Sequence, residues 1–345
     1  RLSALVRQRR PGEMLYRVGD EIAAAFIPKK HLPLMVDRIL GGRAFGAGVP
    51  ETPFEGTLVH FPWDLVNRTA EEIRNDFVVL SRTAKGHAAV QASAADLHGA
   101  TLLGKGNILI GKGSRVRPGA VLDAEEGPII LGRNVTVMPN AVIEGPAFVG
   151  DHSLVKIGAK IYHGTAIGAH CKVGGEVESS VLQSYTNKQH EGFLGHSYLG
   201  SWVNLGADTN TSDLKNTYGT VRVPVGGKEK EVDTGQVFFG AVIGDHAKVG
   251  INASIPTGGV IGTIPKLGAA ETRRAIEAAN KAYYEADAPI LTLGLTSKTM
   301  PLTQVEDFVD GVKVFHCIHF LSSLRGSASW RRRSNLLLIK NIFQL

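Results

Sequence analysis

The chain has 345 residues, is 43% hydrophobic and carries a formal charge of +6. That length accommodates two or three folding units with ample core. Residues 311–345 hold Lys313, Arg325, Arg331, Arg332, Arg333 and Lys340 and no acid, so they carry the whole excess and 1–310 are neutral overall. A basic groove for nucleic acid is therefore not indicated, and the arginine run reads as a solvated tail. Two cysteines form no disulfide framework and fit a reducing cytoplasm, with Cys171 expected as an inert core thiol. No apolar run approaches the ~20 residues of a membrane span, and no signal peptide is visible. The first residue is Arg1 rather than Met, which suggests a fragment.

Residues 1–68 are mixed, with turn-rich stretches. Their Gly41–Gly48 cluster lacks both the Lys-Ser/Thr ending of a phosphate loop and the spacing of a dinucleotide fingerprint, and reads as a loop. Residues 61–99 read as a linker with a helix, which a Thr69/Glu72 capping box would start and which would run to about Leu80.

A spacing of six then dominates. Leu131, Val137, Ile143, Val149, Val155, Ile161, Ile167 and Val173 follow one another without a break. Four residues after each comes something small or β-branched, from Val135 and Ala141 to Cys171 and Val177. On a helix, at about 100° per residue, such a set would spread over three faces. Gly132, Gly150, Gly168 and Gly174 interrupt any long strand. Short strands joined by corners remain, stacked into a solenoid with a continuous aliphatic column inside. Ile110, Val116 and Leu122 precede the run three residues out of phase, which puts a corner irregularity at Glu125–Pro128. Phe193, Leu199 and Leu205, and then Val237, Ile243, Val249, Ile255 and Ile261, are the further inward positions, all apolar.

The solenoid is expected over about 100–267. Two excursions are expected to leave it, at 182–192 and 211–236, the second holding a hairpin of Val221–Val225 and Lys228–Val232 around Gly226-Gly227. Residues 268–314 form a C-terminal extension with a helix over Glu271–Ala286 that would cover an open end of the solenoid. Residues 315–345 read as a basic, poorly ordered tail.

The stretch Gly192-Phe-Leu-Gly-His-Ser-Tyr-Leu-Gly-Ser-Trp-Val-Asn-Leu-Gly-Ala207 is the sharpest motif. With Ser212-Asp-Leu-Lys-Asn-Thr-Tyr-Gly219 and Ile243-Gly-Asp-His-Ala247, it resembles the hexapeptide-repeat acyltransferases. The resemblance is strongest to the acetyltransferase part of bifunctional N-acetylglucosamine-1-phosphate uridylyltransferase/glucosamine-1-phosphate acetyltransferases, in a variant bacterial form. It covers about 60–263 and is specific over 173–262. It implies an all-β fold, a left-handed parallel β-helix, whereas the period alone gives a solenoid without its hand. It also implies a homotrimer, acetyl-CoA as co-substrate and an amino-sugar phosphate as acceptor. Residues 1–60 would be the remnant of a nucleotidyltransferase-like domain, with Mg2+ expected only if that half is active.

His196 matches the family's catalytic histidine, a residue type suited to base catalysis near neutral pH. Its phase is also that of His152, His170 and His246, where a polar residue is ordinary corner chemistry. Tyr198 matches a sugar-site tyrosine, one residue closer to the histidine than in the family, and Asn204 a substrate-binding asparagine. Lys156 stands where the family has an arginine; it can neutralise a phosphate but lacks the bidentate fork. Ser180 stands where the family has a second phosphate-binding lysine, for which Lys188 is a possible substitute. Lys215 and Asn216 belong to the second excursion and would close over the sugar. Ala207 and Ile251 match positions whose backbone meets acetyl-CoA.

Two other classes compete. A sugar-1-phosphate nucleotidyltransferase could use the solenoid only for assembly and regulation. A zinc site of the carbonic-anhydrase type, held by three histidines between subunits as in some trimeric hexapeptide solenoids, could draw on His163, His170, His190 and His196, but their spacings do not match that three-histidine motif, and no metal is expected.

Overall fold

A computed structural model describes residues 14–26, 50–53, 55–83, 97–225, 231–262 and 336–337. The expected loop at 41–48, the turn at 226–227, the helix at 271–286 and the arginine run at 331–333 lie outside the described residues. The chain divides into two compact units, residues 1–60 with 302–342, and residues 61–301 with 343–345.

In the first unit, β1 (Met14–Val18) and β2 (Glu21–Phe26) pair antiparallel, and β3 (Glu51–Pro53) joins β1 in parallel. Arg17 grips Glu51 with both nitrogens of its fork, at 2.7 and 3.0 Å. Leu336–Leu337 pairs antiparallel with β2, so this part of the expected disordered tail is a strand.

The second unit is the expected left-handed parallel β-helix, with about nine turns. Its strands stack into three parallel sheets. Sheet I has six strands from Thr101–Leu103 to Phe193–Gly195, sheet II eight from Ile108–Ile110 to Gly259–Ile261, and sheet III seven from Arg115–Val116 to Lys248–Val249. Each inward residue pairs with its counterpart in the next coil, as Leu131 with Val149 and Val149 with Ile167. The column of Leu122, Leu131, Val137, Ile143, Val149, Val155, Ile161, Ile167 and Val173 is buried, with Val135, Ala141, Ala159 and Cys171 fitting the narrower corner positions. Burial pushes the Cys171 thiol up to about 12, and Sγ donates to the Gln183 carbonyl at 3.2 Å, consistent with an inert thiol. Ile110 pairs with Leu131 and Val116 with Val137, so the extra residues fall at the bend over 125–127, as the phase change implies.

Three sequence expectations change here. Residues 182–192 are not an excursion. Val181–Leu182 and Asn187–Lys188 are regular strands of sheets II and III. The beat fails because the coil shortens: Ile161 pairs with Val177, Ile167 with Leu182 and Val173 with Lys188. The inward residues are accordingly Leu194 rather than Phe193 and, in sheet III, Lys188, which is 2% exposed. Val237 also lies outside the column, with its side chain exposed. The excursion after Thr211 is real: Leu199 pairs with Ile243 across it, and its hairpin pairs Arg222–Pro224 with Glu231–Asp233.

The helix starts earlier than the capping box suggested. α1 spans Pro62–Thr83, with Pro62 at its first position, where a missing N–H costs nothing. Asp64 accepts from the Phe61 N–H at 3.0 Å, capping that end. Thr69 sits mid-helix and donates to the Leu65 carbonyl. Nor is α1 a linker. Its stripe of Trp63, Val66, Thr69 and Ile73 is buried, and it packs on sheet II. The outward row of that sheet (Ile130, Phe148, Ala166, Val181, Tyr198, Val242) is apolar and buried. A parallel sheet needs such a cover when both faces are hydrophobic. Among the described residues no helix is long and apolar enough to cross a membrane.

Candidate active site

The corner between sheets I and II carries His196. In the sheet II to III corner, Asn134, His152, His170, Tyr185, Trp202 and His246 all come three residues after an inward residue, with φ from 54° to 67°. His196 comes two after Leu194 and has φ 43°, a value it shares with Ser179 one coil below. It therefore does not share the corner phase of the other histidines, as the six-residue ruler had suggested. These shorter corners turn on buried serines. Ser180 Oγ donates to the Glu178 carbonyl at 2.7 Å and accepts the Ser197 N–H at 3.0 Å. Ser197 Oγ repeats the arrangement with the Gly195 carbonyl at 2.6 Å and the Ala241 N–H at 2.9 Å.

Both ends of the excursion clasp His196. On leaving Thr211 the chain places Asp213, whose Oδ2 lies 2.8 Å from His196 Nδ1. On returning, the Phe239 N–H donates to the Asp213 carbonyl at 2.8 Å and the Gly240 N–H donates to the His196 carbonyl at 3.0 Å. Leu214 and Phe238 form an antiparallel bridge, and the Phe238 ring lies over the imidazole at 5.4 Å between centroids. The side chains of His196 and Asp213 are 24% and 15% exposed, so the pair is sheltered yet reachable. A carboxylate on Nδ1 holds the ring proton there, which leaves the lone pair of the neutral imidazole on Nε2, free to accept a proton. Asp213 was not singled out from sequence, although it stands inside the motif that starts at Ser212; only the fold shows that it reaches His196.

No family model matches the chain. Similarity to individual proteins is clear. The bifunctional protein GlmU of Synechococcus sp. (strain CC9311) is 31% identical over 170 residues, 49% of this chain and 32% of that protein. The GlmU of Methanococcus vannielii is 33% identical over 158 residues, 40% of this chain and 36% of that protein. The GlmU of Trichormus variabilis is 27% identical over 157 residues, 44% of this chain and 32% of that protein. The chain spans about a third of the length of these curated relatives. The chain carries a six-residue repeat folded into a β-helix, and it is similar to these GlmU proteins over part of its length.

The other candidate site residues are dispersed. Asn204 lies on the outer side of sheet III, between Asn187 and Lys248. Ala207 and Ile251 stack in the corner that follows, where the Asn252 N–H donates to the Ala207 carbonyl, and Ile251 is 70% exposed. Lys156 is half-buried at the end of the Leu154–Val155 strand of the same sheet. Lys215 and Asn216 follow Asp213 closely; the Lys215 ammonium donates to the Thr220 carbonyl at 2.8 Å, and Asn216 is exposed. Within one chain, then, Asp213, Lys215 and Asn216 share a segment with the histidine site, whereas Asn204, Ala207, Ile251 and Lys156 belong to sheet III and its far corner.

Tyr198 and Lys188 are both buried. Tyr198 is 6% exposed and belongs to the buried cluster of Trp63, Val181, Val221, Phe239 and Val242 beneath α1. Lys188 is neither a loop residue nor free to meet a phosphate: its Nζ points into the coil interior and donates to the His190 carbonyl at 2.7 Å. Ser180 is fully buried in its corner.

Proposed function

We propose that the chain is an acetyl-CoA-dependent N-acetyltransferase acting on an amino-sugar phosphate of the glucosamine-1-phosphate kind. The observation that carries this reading is the His196–Asp213 pair at 2.8 Å, with Nε2 left as the acceptor. In the proposed step, the acceptor's amine nitrogen attacks the thioester carbonyl. A C–N bond forms, the amine proton passes to Nε2, and the tetrahedral intermediate collapses with loss of the CoA thiolate, which takes up a proton. Asp213 stabilises the imidazolium that forms and fixes its ring. Phe238 restricts the ring and keeps water from one of its faces.

The remaining roles are part of the same proposal. Lys215 and Asn216 would border the acceptor, Lys156 would offset phosphate charge, Asn204 would hold the sugar, and the backbone at Ala207 and Ile251 would line the acetyl-CoA path. Their location on another face of the prism supports a homotrimer in which one copy supplies His196 and its neighbour the sheet III residues. The test is thiol release from acetyl-CoA with glucosamine-1-phosphate and with related amino sugars. Turnover that falls by about 10²–10⁴-fold in His196→Ala is expected for loss of a general base. Turnover unaffected by that substitution would sink the reading.

A further inference from the structure

Gly195 immediately precedes the histidine, and its backbone does not need to be glycine: its φ is not in the left-handed region. The need is for room. Gly195 ends the last strand of sheet I and pairs with Glu178; the same outward lane pairs Glu144 with Asp123 lower in the stack. The lane therefore carries a full side chain at other levels. At Gly195 the space that a Cβ would fill is already taken by Asp213 Oδ2, the oxygen that pairs with His196 Nδ1, and by the edge of the Phe193 ring. The strand cannot easily back away. Gly195 N–H donates to Thr211 Oγ1 at 3.1 Å, and its carbonyl accepts from Ser197 Oγ at 2.6 Å.

We infer that Gly195 is a positioning residue for the proposed transfer: the missing side chain is the seat in which the Asp213 carboxylate reaches the imidazole. A methyl group there would displace the carboxylate, because the backbone on both sides is fixed and the carboxylate is the movable partner. The catalytic consequence rests on the function proposed above, while the geometric one stands without it.

The experiment compares wild type, Gly195→Ala, Phe193→Ala, and the Phe193→Ala/Gly195→Ala double variant, each checked for an unchanged far-ultraviolet spectrum and thermal transition. The readout is the ¹⁵N signature of the His196 ring near pH 8, which distinguishes a proton held on Nδ1 from one on Nε2. Wild type and Phe193→Ala are expected to hold it on Nδ1, and both variants carrying the alanine at 195 to lose that preference. Where turnover is measurable, Gly195→Ala and Asp213→Ala should be non-additive, the double variant being no slower than the worse single one within about twofold. An unchanged Nδ1 signature in Gly195→Ala overturns the inference. So does recovery of the signature in the Phe193→Ala/Gly195→Ala variant, which would trace the effect to the phenyl ring. If Gly195→Ala does not fold, Gly195→Ala combined with Asp213→Ala supplies the comparison in the Phe193→Ala background: removal of the carboxylate is expected to restore folding, and a variant that still does not fold overturns the inference. Wild type with the Nδ1 signature but no turnover on any amino sugar would instead count against the proposed function alone.

Discussion

Lys188 pairs with Val173 in the neighbouring coil of sheet III, so an amine occupies a position that its neighbours fill with aliphatic side chains. Burial lowers its pKa from 10.5 to about 8, and the surrounding acids Glu191, Asp208 and Glu176 only partly oppose this. Below pH 8 the amine is charged in both the folded and unfolded chains, and the folded chain bears the full desolvation cost. Between about pH 8 and 10.5 the folded chain has released the proton while the unfolded chain still binds it, so stability rises with pH through that window. Lys188→Met should therefore raise the melting temperature at pH 7 by several degrees, on the order of 1–3 kcal/mol. It should also flatten the rise in stability above pH 8. Thermal melts of both proteins from pH 7 to 10 check this; a less stable variant with the rise intact would refute it.

The same lysine explains where the sequence stopped being readable. From Leu131 to Val173 each coil consists of three equal repeats, so periodicity alone located the inward residues. After Val173 two changes coincide. Val177 takes the sheet I position early, and a charged residue takes the next sheet III position. Hydrophobic periodicity has no means of registering a lysine as core, so the coil looked like an excursion. The His196 corner was misphased for the same reason, by one residue. His196 itself stood out as a candidate through its motif. Asp213 did not, because it reaches the histidine only by the path of a real excursion, and the burial of Tyr198 was not visible because α1, which covers it, lies far away in sequence.

That cover suggests a second experiment. Trp63 is buried, stacks on Phe61 at 4.4 Å and meets Phe239 edge-on at 5.9 Å. Phe239 belongs to the returning arm that holds Asp213. Trp63→Ala should cost about 3–5 kcal/mol, as for other large aromatic truncations. The weakened packing should also expose the apolar row of sheet II. Denaturant unfolding would measure the loss, and binding of an apolar dye at native conditions would report the exposed row. A loss under about 1 kcal/mol would mean that α1 is not a structural part of the β-helix.

The corner between sheets II and III carries a stack of nearly parallel rings, His152, His170, Tyr185, Trp202 and His246, with neighbouring centroids 4.5–6.1 Å apart. Burial, followed by the charge of His152, lowers the pKa of His170, while Asp151 opposes them. The folded chain therefore resists a proton that the unfolded chain accepts near pH 6.5, and stability falls as pH drops below that value. His170→Tyr would keep a flat ring in the stack without the charge. Its stability should decline less than wild type between pH 7 and 5, measured by thermal melts in matched ionic strength. Equal declines would place the acid sensitivity elsewhere.

Tyr198 separates the packing role from the sugar-binding role. Its ring lies among Trp63, Val181, Val221 and Val242, beneath α1. A residue that supports the fold through its ring should tolerate loss of its hydroxyl far better than loss of its bulk. Tyr198→Phe is expected to change kcat/KM for acetyl transfer by less than about threefold, whereas Tyr198→Ala should destabilise the protein by about 3–5 kcal/mol. A sugar-contacting hydroxyl gives the opposite pattern: KM for the acceptor would rise by tenfold or more in Tyr198→Phe, because a buried polar partner would be left unmatched. Steady-state kinetics with the amino sugar varied, together with denaturant unfolding of both variants, decide between the two.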